Sequence, residues 1–214
     1  MQKRRQLLTS ADVYGYIPSM PRYTKKPEAT AIFRLREVDQ AGLTRGRLRG
    51  MLHRGEAERV GRGLYRRGSE VTELDTVAMV CARVPRAVVC LLTALAIHRI
   101  GTQLPADVWI ALDRKARKPR VEDLPIRIVR FSPSMLRSGI EERRVHGVVI
   151  KLTSPARTVV DCFRYRNKTG IDVAIEALRE SLRERRTSVD AIVRAAKVGR
   201  VYSVMKPYLQ AIVA

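Results

Sequence analysis

The chain of 214 residues is 45% hydrophobic, which is enough for one large core or two small ones. Its 42 lysines and arginines face 21 aspartates and glutamates, and the formal net charge of +21 favours a polyanionic partner. The longest apolar stretch, residues 87–97, is far shorter than the ~20 residues that span a bilayer, so we expect no membrane partner.

Charge alone does not identify the partner, because ribosomal proteins, membrane-surface proteins and proteins of arginine-rich genomes are also basic. The excess is spread along the chain: residues 1–70 carry 16 basic and 7 acidic side chains, and residues 71–214 carry 26 and 14. Both parts could therefore contact a phosphate backbone. The odd number of cysteines and the lack of a CxxC pair predict buried, reduced thiols and a cytoplasmic protein.

Residues 1–26 mix basic side chains with tyrosines and prolines and show no helical or strand periodicity. They are interpreted either as a poorly ordered terminus or as a basic arm that lies along DNA.

Residues 27–69 predict a winged helix-turn-helix domain, which is three helices followed by a hairpin. Gly42 is typical of a helix end, Thr44 is a good N-cap residue, and the glycines in 61–63 favour a tight turn. The predicted elements are helices at 29–36, 37–41 and 45–54, and strands at 56–60 and 64–66.

In that geometry the third helix enters the major groove of DNA and the hairpin, or wing, contacts an adjacent groove or the backbone. Arginine can bind guanine bidentately or hold a phosphate. The alternative is a winged helix used for protein contact. The candidate DNA-binding residues of this domain are Thr44, Arg45, Arg47, Arg49, His53, Arg54, Arg59, Arg62 and Arg66.

Residues 70–214 predict a larger mixed α/β domain, so the fold class is α+β. Its loop at 113–120 has five basic residues in eight, which suits contacts to the DNA backbone. The candidate residues of this loop are Lys115, Arg117, Lys118 and Arg120. The predicted elements are helices at 70–82, 86–100, 172–185, 188–197 and 202–213, another after Ser154-Pro155, and strands at 108–112, 126–131 and 148–150.

No catalytic, cofactor or metal site is predicted. A metal nuclease would need an acidic residue two positions before a lysine on one of its strands. In the corresponding segment, Val149-Ile-Lys151, a valine takes the place of the acidic residue. His98 is interpreted as a capping or core-edge residue. Asp161 lies on an apolar helix four residues after Arg157, which favours a structural ion pair over catalysis.

Several motifs together resemble the AbiEi family, the antitoxins of type IV abortive-infection toxin–antitoxin systems. The motifs are Leu43-Thr-Arg-Gly-Arg-Leu48, Arg59-Val-Gly-Arg-Gly-Leu-Tyr65, Val108-Trp-Ile-Ala-Leu112, and Ser154-Pro-Ala-Arg-Thr-Val-Val-Asp-Cys-Phe163 with Tyr165-Arg-Asn-Lys168. The resemblance implies a transcriptional autorepressor that binds inverted repeats in its own promoter, and an antitoxin that counteracts a nucleotidyltransferase-like toxin.

Two other functions stay open at this point. One is a nucleic-acid-processing enzyme whose winged helix only docks the substrate, and the other is an interaction module that sequesters the toxin. Direct contact between antitoxin and toxin does not follow from the resemblance.

Overall fold

The protein is described by a computed structural model over residues 31–35, 43–68 and 74–213. Within those residues the fold is mixed α and β structure with a three-stranded and a five-stranded sheet, which confirms the α+β class. The predicted arm at 1–26 and the predicted helix at 37–41 lie outside the described residues.

The first unit is a three-stranded antiparallel sheet with one described helix. Its elements are β1 (Ala31–Arg34), α1 (Arg45–His53), β2 (Ala57–Gly61) and β3 (Leu64–Arg67). The strand order is β1-β3-β2. The prediction of α1 and of the β2–β3 hairpin is confirmed, and Gly63 takes the positive φ of +66° that the tight turn requires.

The predicted helix at 29–36 is wrong, because residues 31–34 form the strand β1. Ile32 and Phe33 are both buried but face opposite sides of the sheet, where they join different apolar clusters. This two-residue alternation is the strand period. Pairing with β3 therefore decides the local structure of a segment that is too short to show its periodicity alone.

The second unit is built on a mixed five-stranded sheet with strand order β6-β5-β4-β8-β7. Pairs β4–β5 and β7–β8 are antiparallel, whereas β4–β8 and β5–β6 are parallel. Its strands are β4 (Val88–Val89), β5 (Val108–Asp113), β6 (Ile126–Phe131), β7 (Ile140–Val145) and β8 (Val148–Thr153). Its helices are α2 (Asp75–Arg83), α3 (Leu91–His98), α4 (Pro133–Arg137), α5 (Pro155–Arg164), α6 (Arg166–Thr169), α7 (Ile171–Arg183), α8 (Val189–Val198) and α9 (Tyr202–Val213).

The prediction of one helix over 86–100 is wrong in its first part. Val88 and Val89 form the central strand β4, and the helix begins only at Leu91. The two valines point to opposite faces of the sheet and are buried in different clusters, so a short strand with two buried faces resembles a buried helix in sequence. The sequence analysis also missed β7 and the short helices α4 and α6.

The other predicted elements of this unit are confirmed within the described residues. Ser188 caps α8 by accepting a hydrogen bond from the backbone N–H of Ala191 at 3.2 Å. Ser154 and Pro155 stand at the start of α5 as predicted, although the Ser154 side chain makes no capping hydrogen bond. The last helix continues through Pro207 to Val213.

The two units share one of the apolar clusters. Ile32 and Leu64 of the first sheet are buried in the same cluster as α2 and one face of the central sheet. Helices α3, α5, α7, α8 and α9 cover the other face. The predicted domain boundary between residues 69 and 70 stays a prediction, but side chains from both sides of it pack together.

The thiols of Cys81, Cys90 and Cys162 are free and buried, as predicted. Burial raises the pKa of Cys81 to about 12, which keeps this thiol protonated at neutral pH. These cysteines therefore act as small apolar core residues.

The predicted ion pair between Arg157 and Asp161 is confirmed, and it is fully buried. Nε of Arg157 donates to Oδ1 of Asp161 at 2.8 Å, and the side chains are 1% and 0% exposed. Arg157 also donates to the carbonyl oxygens of Met135 and Ser138. Burial raises the pKa of Asp161 to about 6 although the Arg157 guanidinium opposes the shift.

Removal of either Arg157 or Asp161 should leave the other residue buried without a counter-charge. We expect Asp161→Ala to lower the free energy of unfolding by ~3–5 kcal/mol, and the double variant Arg157→Met/Asp161→Leu to cost less. Urea denaturation measures both. Glu142→Ala is the control because Glu142 and Lys151 form an exposed pair at 3.7 Å, whose loss should cost about 0–1 kcal/mol. Equal losses for Asp161→Ala and Glu142→Ala would contradict the structural role of the buried pair.

Candidate nucleic-acid interface

Helix α1 buries one face and exposes a basic one. Leu48 and Met51 pack against Phe33 and Tyr65 of the sheet. The helix begins at Arg45 because the Thr44 side chain accepts a hydrogen bond from the backbone N–H of Arg47 at 3.2 Å. The exposed residues at and along this helix include the candidates Thr44, Arg45, Arg47, Arg49, His53 and Arg54.

The N-terminal end of α1 concentrates positive charge. The first turn contains no acidic residue, and the positive end of the helix dipole adds to Arg45 and Arg47. Arg54 at the other end is different, because its Nε lies 2.6 Å from Oε1 of Glu56. This hydrogen bond raises the pKa of Arg54, and the Glu56 carboxylate offsets part of the positive potential at this end of the helix.

The wing exposes Arg59 and Arg62. Nε of Arg59 donates to the carbonyl oxygen of Gly61 at 3.2 Å, which holds the side chain along the strand. Arg62 stands at the turn itself, next to Gly63. The wing therefore presents at least one guanidinium at its tip.

Unlike the other arginine candidates of the first unit, Arg66 is largely buried. Its side chain is 14% exposed and pairs with Glu58 on one side and Asp75 on the other. Oδ1 of Asp75 lies 3.0 Å from Nε2 of His146, and the backbone N–H of Ile32 donates to the carbonyl oxygen of His146 at 2.8 Å. Arg66 thus attaches the wing to the second unit, and we assign it a positioning role.

The predicted basic loop follows β5, and its candidates Lys115, Arg117, Lys118 and Arg120 are exposed. The loop is anchored at its start by Arg130, which donates to the carbonyl oxygens of Asp113 at 2.9 Å and Ala116 at 2.8 Å. Because the start of the loop is held in place and its cations are exposed, the loop can bind phosphates without changing its shape.

The structure places Asp123, three residues after the end of this loop, close to the wing. Asp123 accepts two hydrogen bonds from Arg83 of α2, at 3.0 and 3.2 Å. A Cβ on Gly61 of the wing would lie 2.5 Å from Arg83 and 3.4 Å from the Asp123 carboxylate. The wing and the segment that carries the loop are therefore direct neighbours. Sequence reasoning missed this contact and missed Arg83, because nothing local connects residues 40 positions apart.

His98 is buried as predicted at the core edge. Its Nε2 lies 2.7 Å from the carbonyl oxygen of Thr153, and its Nδ1 lies 3.1 Å from Arg143. Burial lowers the pKa of His98.

Among residues 31–35, 43–68 and 74–213, no group of three or more His, Cys, Asp or Glu side chains is placed to hold a metal ion. The same part of the chain has no helix with the length and apolarity to cross a membrane.

Residues 30–68 match the sequence model of the family described as transcriptional regulator, AbiEi antitoxin. The matched segment spans β1, α1, β2 and β3, so the resemblance to this family is confirmed over the first unit. No curated protein matches the chain.

The contact of Asp75 with Arg66 and His146 should stabilise the packing of the first sheet against the second unit. We expect Asp75→Asn to speed amide hydrogen exchange in β1 and β3 about tenfold or more, because a buried charge-assisted hydrogen bond is weakened. Hydrogen–deuterium exchange should show little change in β5. The control is Asp107→Asn, which removes an exposed pair with Arg127. Uniform exchange changes in both variants would contradict the assignment.

Proposed function

We propose that the protein is a transcriptional repressor of the winged helix-turn-helix type that binds inverted repeats in its own promoter. The observation that carries this proposal is the exposed basic face of α1, which stands beside a wing that also exposes arginine. The family match over residues 30–68 supports the regulatory role. The predicted second helix at 37–41, which would precede α1 in this motif, lies outside the described residues.

In this proposal α1 lies in the major groove. Arg45, Arg47 and Arg49 read bases or hold phosphates, because a guanidinium can bond two acceptors of guanine at once. Thr44 stands at the helix start, where backbone N–H groups attract a phosphate. His53 and Arg54 contribute at the other end of the helix.

The wing and the basic loop supply contacts to the DNA backbone. Arg59 and Arg62 act from the wing, and Lys115, Arg117, Lys118 and Arg120 act from the second unit. The contact of Gly61 with Arg83 and Asp123 supports one continuous surface for these cations. Each phosphate contact made by such a surface adds to the salt dependence of binding.

The second proposed role is to counteract a nucleotidyltransferase-like toxin. It is supported by the family description, which names an antitoxin, and by the motifs of the second unit. The basic character of residues 71–214 suits action through the toxin, its RNA substrate or a shared partner. The role requires no direct contact between the two proteins.

The major-groove assignment is tested by Arg45→Ala/Arg47→Ala. Both side chains are exposed, so the fold should persist. Affinity for the promoter duplex should fall by ~2–6 kcal/mol, at ~1–3 for each good base contact. A gel-shift titration against promoter and scrambled duplexes measures this. The control is Arg194→Ala/Lys197→Ala on α8, which also removes two positive charges from exposed positions.

The same variant separates the two proposed roles in the full chain. It should relieve repression of a promoter reporter while protection of cells from the cognate toxin is retained. Unchanged promoter affinity would contradict the DNA-reading role of α1, and simultaneous loss of repression and protection would contradict the separation of roles.

A further inference from the structure

A groove walled by arginines lies where the wing turn meets the ends of β1 and α2. It encloses about 360 Å³ and is lined by Arg34, Leu35, Arg62, Gly63, Leu64 and Arg83. We propose that this groove binds one phosphate group of the DNA backbone through Arg62 and Arg83. The inference rests on the proposed DNA-binding function. It combines Arg62, which the sequence predicted to bind DNA, with Arg83, which the sequence did not indicate.

Arg83 is preorganised to hold an anion. Its pair with Asp123 uses two of the five N–H donors of the guanidinium, at 3.0 and 3.2 Å. The side chain is only 16% exposed and lies against Gly61 of the wing. A guanidinium that is already fixed loses little conformational freedom when a phosphate binds.

The other walls of the groove are also fixed to the fold. Arg34 donates to the carbonyl oxygen of Ala82 at the end of α2. The backbone N–H of Leu35 donates to the carbonyl oxygen of Gly63 at 3.0 Å, which joins the end of β1 to the wing turn. Leu64 beneath them is 1% exposed. Arg62 is the exposed member and can close on a ligand from the turn.

The charge of the groove suits a phosphate diester. Three guanidinium groups line it, and the carboxylate of Asp123 pairs with Arg83. Two arginines that converge on one phosphate can share its oxygens through planar N–H pairs. Arg83 in the wall of the groove also pairs with Asp123, which follows the basic loop in the chain.

A double-mutant cycle tests whether Arg62 and Arg83 hold the same phosphate. Arg62→Gln and Arg83→Gln should each weaken duplex binding about tenfold and flatten the salt slope by about 0.9. The double variant should lose clearly less than the product of the two effects. The control cycle combines Arg62→Gln with Arg194→Gln on α8, a helix that packs on the opposite face of the central sheet, and should be additive.

Two further variants separate the position of Arg83 from its charge. Gly61→Ala keeps every charge but adds a Cβ 2.5 Å from the Arg83 guanidinium, which must move. Arg83→Lys keeps the charge and can still pair with Asp123. We expect Gly61→Ala to weaken duplex binding about as much as Arg83→Gln, and Arg83→Lys to weaken it less, with the salt slope retained. Thermal unfolding verifies that each variant is folded before its affinity is compared.

Inorganic phosphate distinguishes a DNA phosphate from a free ion. Phosphate at matched ionic strength should displace duplex from the wild type more than chloride does, and this difference should vanish in Arg83→Gln. If phosphate competes but Arg83→Gln leaves duplex affinity unchanged, the groove holds a free ion and the proposal is overturned. If promoter binding depends on Arg45 and Arg47 but not on Arg62 or Arg83, the groove proposal fails while the DNA-binding function stands.

Discussion

The buried carboxylate of Asp75 is the contact on which the arrangement of the basic surface depends. It is 3% exposed and engages Arg66 of the wing sheet and His146 of the β7–β8 turn. A carboxylate taken out of water requires such partners, since an unpaired buried charge is strongly destabilising. The same contact that satisfies Asp75 therefore fixes the first sheet against the second unit.

The apolar core enforces this placement over a larger area. Leu64 and Ile32 turn away from α1 and are buried with α2 and the central sheet. Helix α1 then stands on the outer face of the three-stranded sheet, with its arginines in solvent. The wing lies against Arg83 and Asp123, and Asp123 follows the basic loop three residues after Arg120. The proposed DNA-binding surface is drawn from two parts of the chain, and these contacts hold the wing against the second unit.

Local signals in the sequence predicted the parts of the candidate site that are local in origin. The Thr44 cap, the apolar face of α1 and the glycine turn of the wing each depend on neighbouring residues. The strands β1 and β4 were not predicted, because tertiary pairing determines segments of two to four residues. Arg66 positions the wing, and Arg83 is proposed to bind a phosphate in the groove. Both roles depend on partners that are distant in the chain, so the sequence showed the charge of these residues but not their function.

In the proposed function, α1, the wing and the loop at 113–120 form one continuous DNA-binding surface. Hydroxyl-radical footprinting on the promoter duplex tests it most directly, with the wild type compared with the variant in which Lys115, Arg117, Lys118 and Arg120 are alanine. We expect the variant to keep the protection around the major-groove site and to lose protection on the flank next to the wing, while the salt slope flattens by up to about 0.9 per lost contact. An identical footprint and salt slope for the two proteins would contradict it.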